Sequence, residues 1–113
     1  MTLKKTLTIA GSDTSGGAGI QADLKTFQEH GTYGMTALTV VVTMDPETWS
    51  HQVYSLPVDV LKAQIATALS TGIDAIKTGM LSTEEVIKTA GEAIQQANLE
   101  TVVIDPVMVC KGE

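Results

Sequence analysis

The residues best suited to chemistry lie in a glycine-rich segment near the amino terminus, residues 11–19, which reads Gly-Ser-Asp-Thr-Ser-Gly-Gly-Ala-Gly. Its four glycines allow the backbone to approach a ligand closely, and a helix that follows would point its unpaired N–H groups back at the segment. This composition predicts a ligand-binding loop. The alternative is a turn that merely joins a strand to a helix, and the serines and Asp13 argue against it.

Two familiar phosphate-binding motifs can be tested against this segment. A Walker loop ends in Gly-Lys-Ser/Thr, and no lysine follows Gly16 or Gly17, so that motif is excluded. Residues 17–22 satisfy the dinucleotide pattern, but its first glycine should stand directly after the strand, and residues 11–16 intervene here. A dinucleotide-binding half-domain, with Asp45 holding a ribose, therefore stays as the weaker alternative.

The elements that must position this segment alternate between strands and helices. Short, β-branched and apolar segments are typical of strands in a parallel sheet that helices cover on both faces. They are residues 6–10, 35–44, 75–77 and 101–105. Because helical patterns lie between them, we expect an α/β fold with right-handed crossovers.

Three amphipathic patterns predict the helices. The first runs from Gly19 to His30, the second from Pro57 to Gly72, and the third from Ser82 to Asn98. A capping box formed by Ser82 and Glu85 is expected to open the third helix. The residues expected to face the core share a helical spacing: Ile20, Leu24, Phe27, Leu61, Ile65, Ala68, Leu69, Val86, Ile87, Ala90 and Ile94.

Residues 45–56 interrupt the alternation. Asp45-Pro46 should end the second strand, and residues 51–56 could form a short extra strand. An insertion directly after the carboxyl end of a strand tends to overhang the ligand site of an α/β domain. The alternative is an ordinary surface loop held in place by Trp49.

Composition excludes several classes of partner. The chain has 113 residues, 43% of them hydrophobic, which is enough for a packed core. Its net charge of −6, with seven lysines and no arginine, argues against nucleic acid. The apolar run 36–42 is too short to span a bilayer, so no membrane partner is expected. His30 and His51 lack companions at metal-ligand spacing, so no metal centre of the chain's own is expected.

A much closer indication comes from a resemblance that extends along the whole chain. Residues 7–27 are similar, almost residue by residue, to the opening of hydroxymethylpyrimidine (phosphate) kinases and their bacterial pyridoxine and pyridoxal kinase relatives, which belong to the ribokinase superfamily. Tyr33-Gly34, residues 77–81 and residues 103–108 match further blocks of that family in order. The resemblance implies a ribokinase-like α/β fold with a mainly parallel sheet. It also implies ATP- and Mg²⁺-dependent phosphorylation of the hydroxymethyl group of pyridoxine or pyridoxal, and of hydroxymethylpyrimidine as a further substrate.

The resemblance also bears on domain organisation. Members of the family are much longer, so residues 1–113 are expected to be the amino-terminal, substrate-binding part of a single ribokinase-like domain whose ATP-binding carboxyl-terminal part is absent. Such a part should be inactive alone. The alternative is a non-catalytic vitamin-binding or dimerising module. We expect a small-molecule substrate, a cytoplasmic location because the single cysteine, Cys110, cannot form an intrachain disulfide, and a homodimer for the full-length protein.

Carried over position by position, the resemblance implies four contacts with the substrate ring: Gly11, Asp23, Met80 and Val107. Asp23 is the natural polar anchor, since a carboxylate can pair with a ring nitrogen, an amino group or a phenolic hydroxyl. The alternatives are a solvated acid in the first turn of a helix for Asp23 and simple core packing for Met80. Asp105 is implied on the Mg²⁺–phosphate side of the site, or else it is only a turn former.

Two positions bear on which vitamin is bound. Strict hydroxymethylpyrimidine kinases carry a glutamine where this chain has Met44, and a thioether cannot make the paired hydrogen bond, which favours a pyridine. Cys110 resembles the lid cysteine of a bacterial pyridoxal-kinase subfamily, whose thiolate adds reversibly to the aldehyde of pyridoxal. Lys111 beside it would favour the thiolate. The alternative is a buried or idle cysteine.

Overall fold

The computed structural model of the chain describes residues 4–99 and 101–104. In these residues strands and helices alternate as the periodicity predicts, apart from one extra strand. The elements are β1 (Lys5–Asp13), α1 (Gly19–Glu29), β2 (Tyr33–Met44), β3 (His51–Ser55), α2 (Val58–Ser70), β4 (Ala75–Thr78), α3 (Glu84–Ala97) and β5 (Thr101–Ile104).

The strands form one sheet in the order β3-β2-β1-β4-β5. Four of them are parallel to their neighbours, and β3 runs antiparallel to β2 along a ladder that ends at the pair Met44 and His51. The predicted α/β fold with a mainly parallel sheet is thereby confirmed. The extra strand predicted after Pro46 is confirmed as β3 at an edge of the sheet.

Helices cover the sheet on both faces. One face carries the main core, in which side chains of β1, β2 and β4 pack against α2 and α3. Thr8 lies between the core residues Leu7 and Ile9, and its hydroxyl contacts Asp23 of α1. Because neighbouring side chains of a strand point to opposite faces, α1 covers the other face. Gly34 of β2 allows α1 to pack closely against this face, because a Cβ atom on Gly34 would lie 2.8 Å from side-chain atoms of Leu24 and Phe27.

The core is aliphatic, as the scarcity of aromatic residues requires. Burying each large side chain contributes roughly 1.5–3 kcal/mol, and several lose almost all contact with solvent. The predicted inward residues Leu61, Ile65 and Ala68 of α2 are buried, and Leu69 packs against the same cluster. The full core comprises Leu7, Ile9, Ala37, Leu61, Ile65, Ala68, Ile73, Ile76, Val86, Ala90 and Ala93.

Two predictions about α3 were wrong. Thr83, not Ser82, caps the helix: its backbone is extended and its hydroxyl accepts a hydrogen bond from the N–H of Val86 at 3.1 Å. Ile87 is 52% exposed, because the stripe that faces the core passes through Thr89 and Ala93 instead. The predicted end was right, since Asn98 takes the left-handed conformation that terminates a helix.

Candidate substrate-binding site

The strand order places a crevice at the carboxyl ends of β1 and β4. From β1 the chain moves through α1 to β2 on one side, and later through α2 to β4 on the other side. The segments that leave β1 and β4 therefore diverge toward opposite faces of the sheet. Such a switch point is where open α/β sheets bind their ligands.

The glycine-rich segment begins inside β1 rather than after it. The strand continues to Asp13, beyond the predicted end at Ala10, so the loop itself is residues 14–18. The register with β2 slips between Ala10 and Ser12, where one residue of β1 faces two of β2, as in a β-bulge. Gly11 lies at this slip, and a Cβ atom on it would be 2.7 Å from Cγ2 of Val40. The sequence pattern missed the extension because residues 11–13 are not apolar.

The loop folds back onto the strand at the start of α1. Gly19 has a φ of +63° and forms an isolated bridge with Ser12. A Cβ atom on Gly19 would collide with the carbonyl oxygen of Gly11. Only glycine fits a position that combines a left-handed backbone with so close an approach. Gln21 fixes the same junction, since its side chain accepts from the N–H of Asp13 at 2.9 Å and donates to the hydroxyl of Ser12 at 2.8 Å.

The Asp13 carboxylate lies at the amino end of α1. It accepts hydrogen bonds from the hydroxyl of Ser15 at 2.7 Å and from the N–H of Ser15 at 2.9 Å. The Ser15 hydroxyl is the main cause that holds the pKa of Asp13 below its ordinary value, and backbone N–H groups of Ser15, Ala18 and Gly17 add to the lowering. These loop N–H groups therefore serve an anion of the chain itself, and the first-turn N–H groups of α1, which the sequence predicts to face a ligand, are not among them.

Asp23 is neither a solvated acid nor a free carboxylate. Its Oδ2 accepts a hydrogen bond from the hydroxyl of Thr8 at 2.6 Å. The ammonium of Lys77 lies 3.1 Å from Oδ1 and 3.0 Å from Oδ2. In this ion pair the side chain of Asp23 is 17% exposed and that of Lys77 is 22% exposed. The expectation that Asp23 acts as polar anchor stays a prediction, but the anchor has a partner that sequence reasoning missed. The sequence signal that could have revealed this partner was a lysine placed within a strand between two residues that are buried.

Gly79 and Met80 follow β4 at the same edge. The N–H of Gly79 donates to the carbonyl of Ile9 at 2.8 Å. The carbonyl of Met80 accepts from the hydroxyl of Thr39 at 3.0 Å, and that hydroxyl would lie 3.9 Å from a Cβ atom on Gly11. Thr39 thus joins Met80 to Gly11, two of the predicted ring contacts. The side chain of Met80 is half-buried, which is compatible both with a contact to a ligand and with core packing.

Met44 ends β2 beside the glycine-rich loop. It lines a small cavity of about 170 Å³ together with Thr14, Ser15, Asp45, Pro46 and Trp49. The turn after β2 therefore adjoins the carboxyl edge, as expected of an overhanging insertion. Trp49 is 61% exposed, which argues against the alternative of a surface loop held in place by this side chain. The N–H groups of Glu47 and Thr48 hold the turn instead, by donating to Oδ1 of Asp45.

Three predicted site residues, Asp105, Val107 and Cys110, lie outside the described residues. Among residues 4–99 and 101–104, no three histidine, cysteine or acidic side chains are grouped as a metal site would require. No helix in this part of the chain is long and apolar enough to cross a membrane. His30 caps the carboxyl end of α1, and its Nδ1 lies 2.9 Å from the carbonyl oxygen of Thr26.

Comparison with known proteins decides between the alternatives left open. The family model for phosphomethylpyrimidine kinase matches residues 13–113. The chain belongs to the phosphomethylpyrimidine kinase family. The predicted resemblance is thus confirmed, and the dinucleotide-binding half-domain is set aside. The displaced glycines and an Asp45 carboxylate already engaged within its own turn agree with this outcome.

Relatives and solved structures place this family member near the vitamin B6 kinases. The chain is 60% identical to the pyridoxine kinase of Bacillus subtilis (strain 168), with 99% of the chain and 42% of that protein aligned. It is 47% identical to the hydroxymethylpyrimidine/phosphomethylpyrimidine kinase of the same organism, over 99% of the chain and 41% of that protein. The pyridoxal kinase from Staphylococcus aureus, solved in complex with AMP-PCP and pyridoxal, matches with a TM-score of 0.93 and 65% identity over 99% of the chain and 42% of that structure. The chain therefore spans about two fifths of the length of these relatives.

Proposed function

We propose that the chain is the substrate-binding part of a single ribokinase-like domain that phosphorylates the hydroxymethyl group of pyridoxine or pyridoxal with ATP, hydroxymethylpyrimidine being a further substrate. The observation that carries this proposal is the crevice at the carboxyl ends of β1 and β4, in a chain that aligns almost completely with a pyridoxal kinase solved with pyridoxal and an ATP analogue. Small-molecule recognition is thereby favoured over a merely dimerising module.

The contribution of the described residues is to bind and orient the ring. Gly11 and Gly79 let the strands pack closely at the carboxyl edge, because a Cβ atom would lie 2.7 Å from Cγ2 of Val40 or 2.8 Å from Cβ of Ala10, respectively. Met80 and Met44 offer apolar surface beside it, and Asp23 offers a carboxylate oxygen. Phosphoryl transfer depends largely on such positioning and on charge stabilisation. Asp105 is proposed for the Mg²⁺–phosphate side; among the described residues, no three histidine, cysteine or acidic side chains are grouped as a metal site would require.

The test compares the chain alone with a complete enzyme. We use this term for the chain joined to a carboxyl-terminal part, either from its own gene or from the matching region of the Staphylococcus aureus pyridoxal kinase. ADP release is measured with pyridoxal, pyridoxine and hydroxymethylpyrimidine. The complete enzyme should turn over at least the B6 vitamins, and the 113-residue chain should not exceed a heat-killed control. A folded complete enzyme that binds pyridoxal without turning it over would support the non-catalytic module instead.

Cys110 is proposed to form a reversible hemithioacetal with pyridoxal, in which the thiolate adds to the aldehyde carbon and the carbonyl oxygen takes up a proton. Pyridoxine carries an alcohol in place of the aldehyde and cannot react in this way. Cys110→Ala in the complete enzyme should therefore lower kcat/KM for pyridoxal markedly, because the covalent adduct can no longer form, and leave pyridoxine turnover nearly intact. Equal losses on both substrates together with a lower Tm would return Cys110 to a packing role.

The location and assembly of the complete enzyme are also proposals. A single cysteine, which cannot form an intrachain disulfide, supports a reducing cytoplasm. A homodimer is expected for the complete enzyme, and light scattering coupled to size-exclusion chromatography measures it directly. A monomeric mass at assay concentration would contradict the dimer without affecting the proposed reaction.

A further inference from the structure

Lys77 occupies an unusual position for a lysine. It lies in β4 between Ile76 and Thr78, which are each 1% exposed. An ammonium inside a sheet is costly unless it is paired, and here both oxygens of Asp23 lie within 3.1 Å of Nζ. The pair nevertheless keeps contact with solvent, since the Lys77 side chain is 22% exposed.

The ammonium of Lys77 lies close to the carboxyl edge of the sheet. Gly79 is the first residue after β4, and a Cβ atom on it would lie 3.3 Å from Nζ of Lys77. The lysine side chain therefore extends along its strand to the level where the strand ends. Ala10 of β1 lies on the other side of Gly79, since its Cβ atom would be 2.8 Å from the Cβ atom added to Gly79. The ammonium thus reaches the crevice that the strand order creates between β1 and β4.

The hydrogen-bonding capacity of the pair is not used up among the described residues. Oδ2 of Asp23 accepts from both Thr8 and Lys77, whereas the only donor to Oδ1 in the described part of the chain is Lys77. An ammonium carries three N–H donors and a carboxylate oxygen two lone pairs. The only hydrogen bonds of Lys77 Nζ in the described part of the chain go to Asp23. One donor and one acceptor therefore remain side by side.

We infer that Lys77 is a substrate-binding residue that acts with Asp23 on a single ring hydroxyl, an inference that rests on the proposed function. The hydroxyl donates to Oδ1 of Asp23 and accepts from the ammonium of Lys77. A lone carboxylate would select a cation or any donor, whereas this pair, neutral overall, selects a group that donates and accepts at once. The substrate class is a heteroaromatic alcohol that carries a phenolic hydroxyl, which matches the 3-hydroxyl of pyridoxine and pyridoxal.

The experiment compares pyridoxine with 3-deoxypyridoxine in the complete enzyme and its Lys77→Met variant. Methionine keeps the length of the side chain and removes its charge. A hydrogen bond to a charged group is worth about ten- to a hundredfold in binding, so kcat/KM for pyridoxine should fall by about that factor. For 3-deoxypyridoxine the same variant should change kcat/KM less than about threefold. Lys88→Met, at an exposed site on α3, is the matched control and should change neither.

Two additional variants keep the inference open to refutation if Lys77→Met folds poorly. Lys77→Arg preserves the charge and should restore part of the preference for pyridoxine. Asp23→Asn combined with Lys77→Met leaves no unpaired buried charge, and it should abolish the preference for the 3-hydroxyl. Equal losses on pyridoxine and 3-deoxypyridoxine in any folded variant would reduce Lys77 to a structural partner of Asp23. If the unmutated complete enzyme phosphorylates neither compound, the proposed function itself has failed.

Discussion

Replacing Gly19 by alanine tests how the glycine-rich loop is closed onto the sheet. Two features of this position oppose a side chain. Its φ of +63° lies in the left-handed region, and an added Cβ atom would overlap the carbonyl oxygen of Gly11 and lie 3.2 Å from the backbone nitrogen of Asp13. Both neighbours are backbone atoms of β1, so no change of rotamer can relieve the overlap.

The two costs can be separated with other glycines of the chain. The left-handed backbone costs an alanine roughly 1–2 kcal/mol, and a forced overlap in a packed region costs about 1–3 kcal/mol more. Gly72 isolates the first cost, since its φ is +84° and no described residue lies within 4 Å of an added Cβ atom. Gly17 has neither problem: it is not in the left-handed region, and its nearest neighbour would be 3.9 Å away.

We therefore expect a graded series in the free energy of unfolding. Gly17→Ala should be neutral or stabilising by up to about 1 kcal/mol, Gly72→Ala should lose about 1 kcal/mol, and Gly19→Ala should lose about 2–5 kcal/mol. Urea unfolding of the complete enzyme at constant m-value measures the series. Only Gly19→Ala should also raise KM for pyridoxine, because it displaces the edge of β1. A Gly19→Ala variant no less stable than Gly72→Ala would refute the close contact with Gly11.

Three further predictions concern single side chains near the carboxyl edge. Because the pKa of Asp13 is lowered chiefly by the Ser15 hydroxyl, wild type should be more stable than Ser15→Ala above the unfolded carboxyl pKa of about 3.9. That advantage should shrink as pH falls through the lowered folded value, and a pH-independent difference in urea unfolding would contradict it. Thr78 has a buried hydroxyl with no partner among the described residues, so Thr78→Val should be neutral or about 1 kcal/mol more stable; a clear loss would reveal a hydrogen bond to that hydroxyl. Met44→Gln should shift kcat/KM toward hydroxymethylpyrimidine by roughly ten- to a hundredfold, whereas an unchanged ratio would remove Met44 from specificity.

Much of the fold could be predicted from local periodicity. The apolar run of β2 is typical of a buried strand, and the apolar stripe of α2 has the spacing of a helix. Turn residues such as Gly72 and Asn98 mark the helix ends. The capping of α3 was misplaced by one residue, because Ser82 and Thr83 are both good capping residues. Only the backbone conformation decides between them, and it depends on how the chain leaves β4.

The candidate site could be predicted less completely, because its key contacts join residues far apart in sequence. Asp23 and Lys77 were both visible in motifs of the chain, but their pairing depends on the strand order, in which β4 lies beside β1. The engagement of Asp13 with the loop was likewise hidden, since a loop rich in serine and glycine is equally suited to an external anion. Pairings of this kind arise from tertiary packing, which no local pattern encodes.

The position of Asp13 has a consequence for the product of the proposed reaction. A phosphorylated vitamin carries close to two negative charges at neutral pH, and a bare helix amino end would attract that dianion. Here the carboxylate of Asp13 lies at the loop that precedes α1 and accepts from N–H groups of that loop, and the ammonium of Lys77 is matched by Asp23. If the proposed reaction takes place here, the described residues offer the ester no unmatched positive charge, so we expect the product to be held no more tightly on this side of the crevice than the uncharged alcohol.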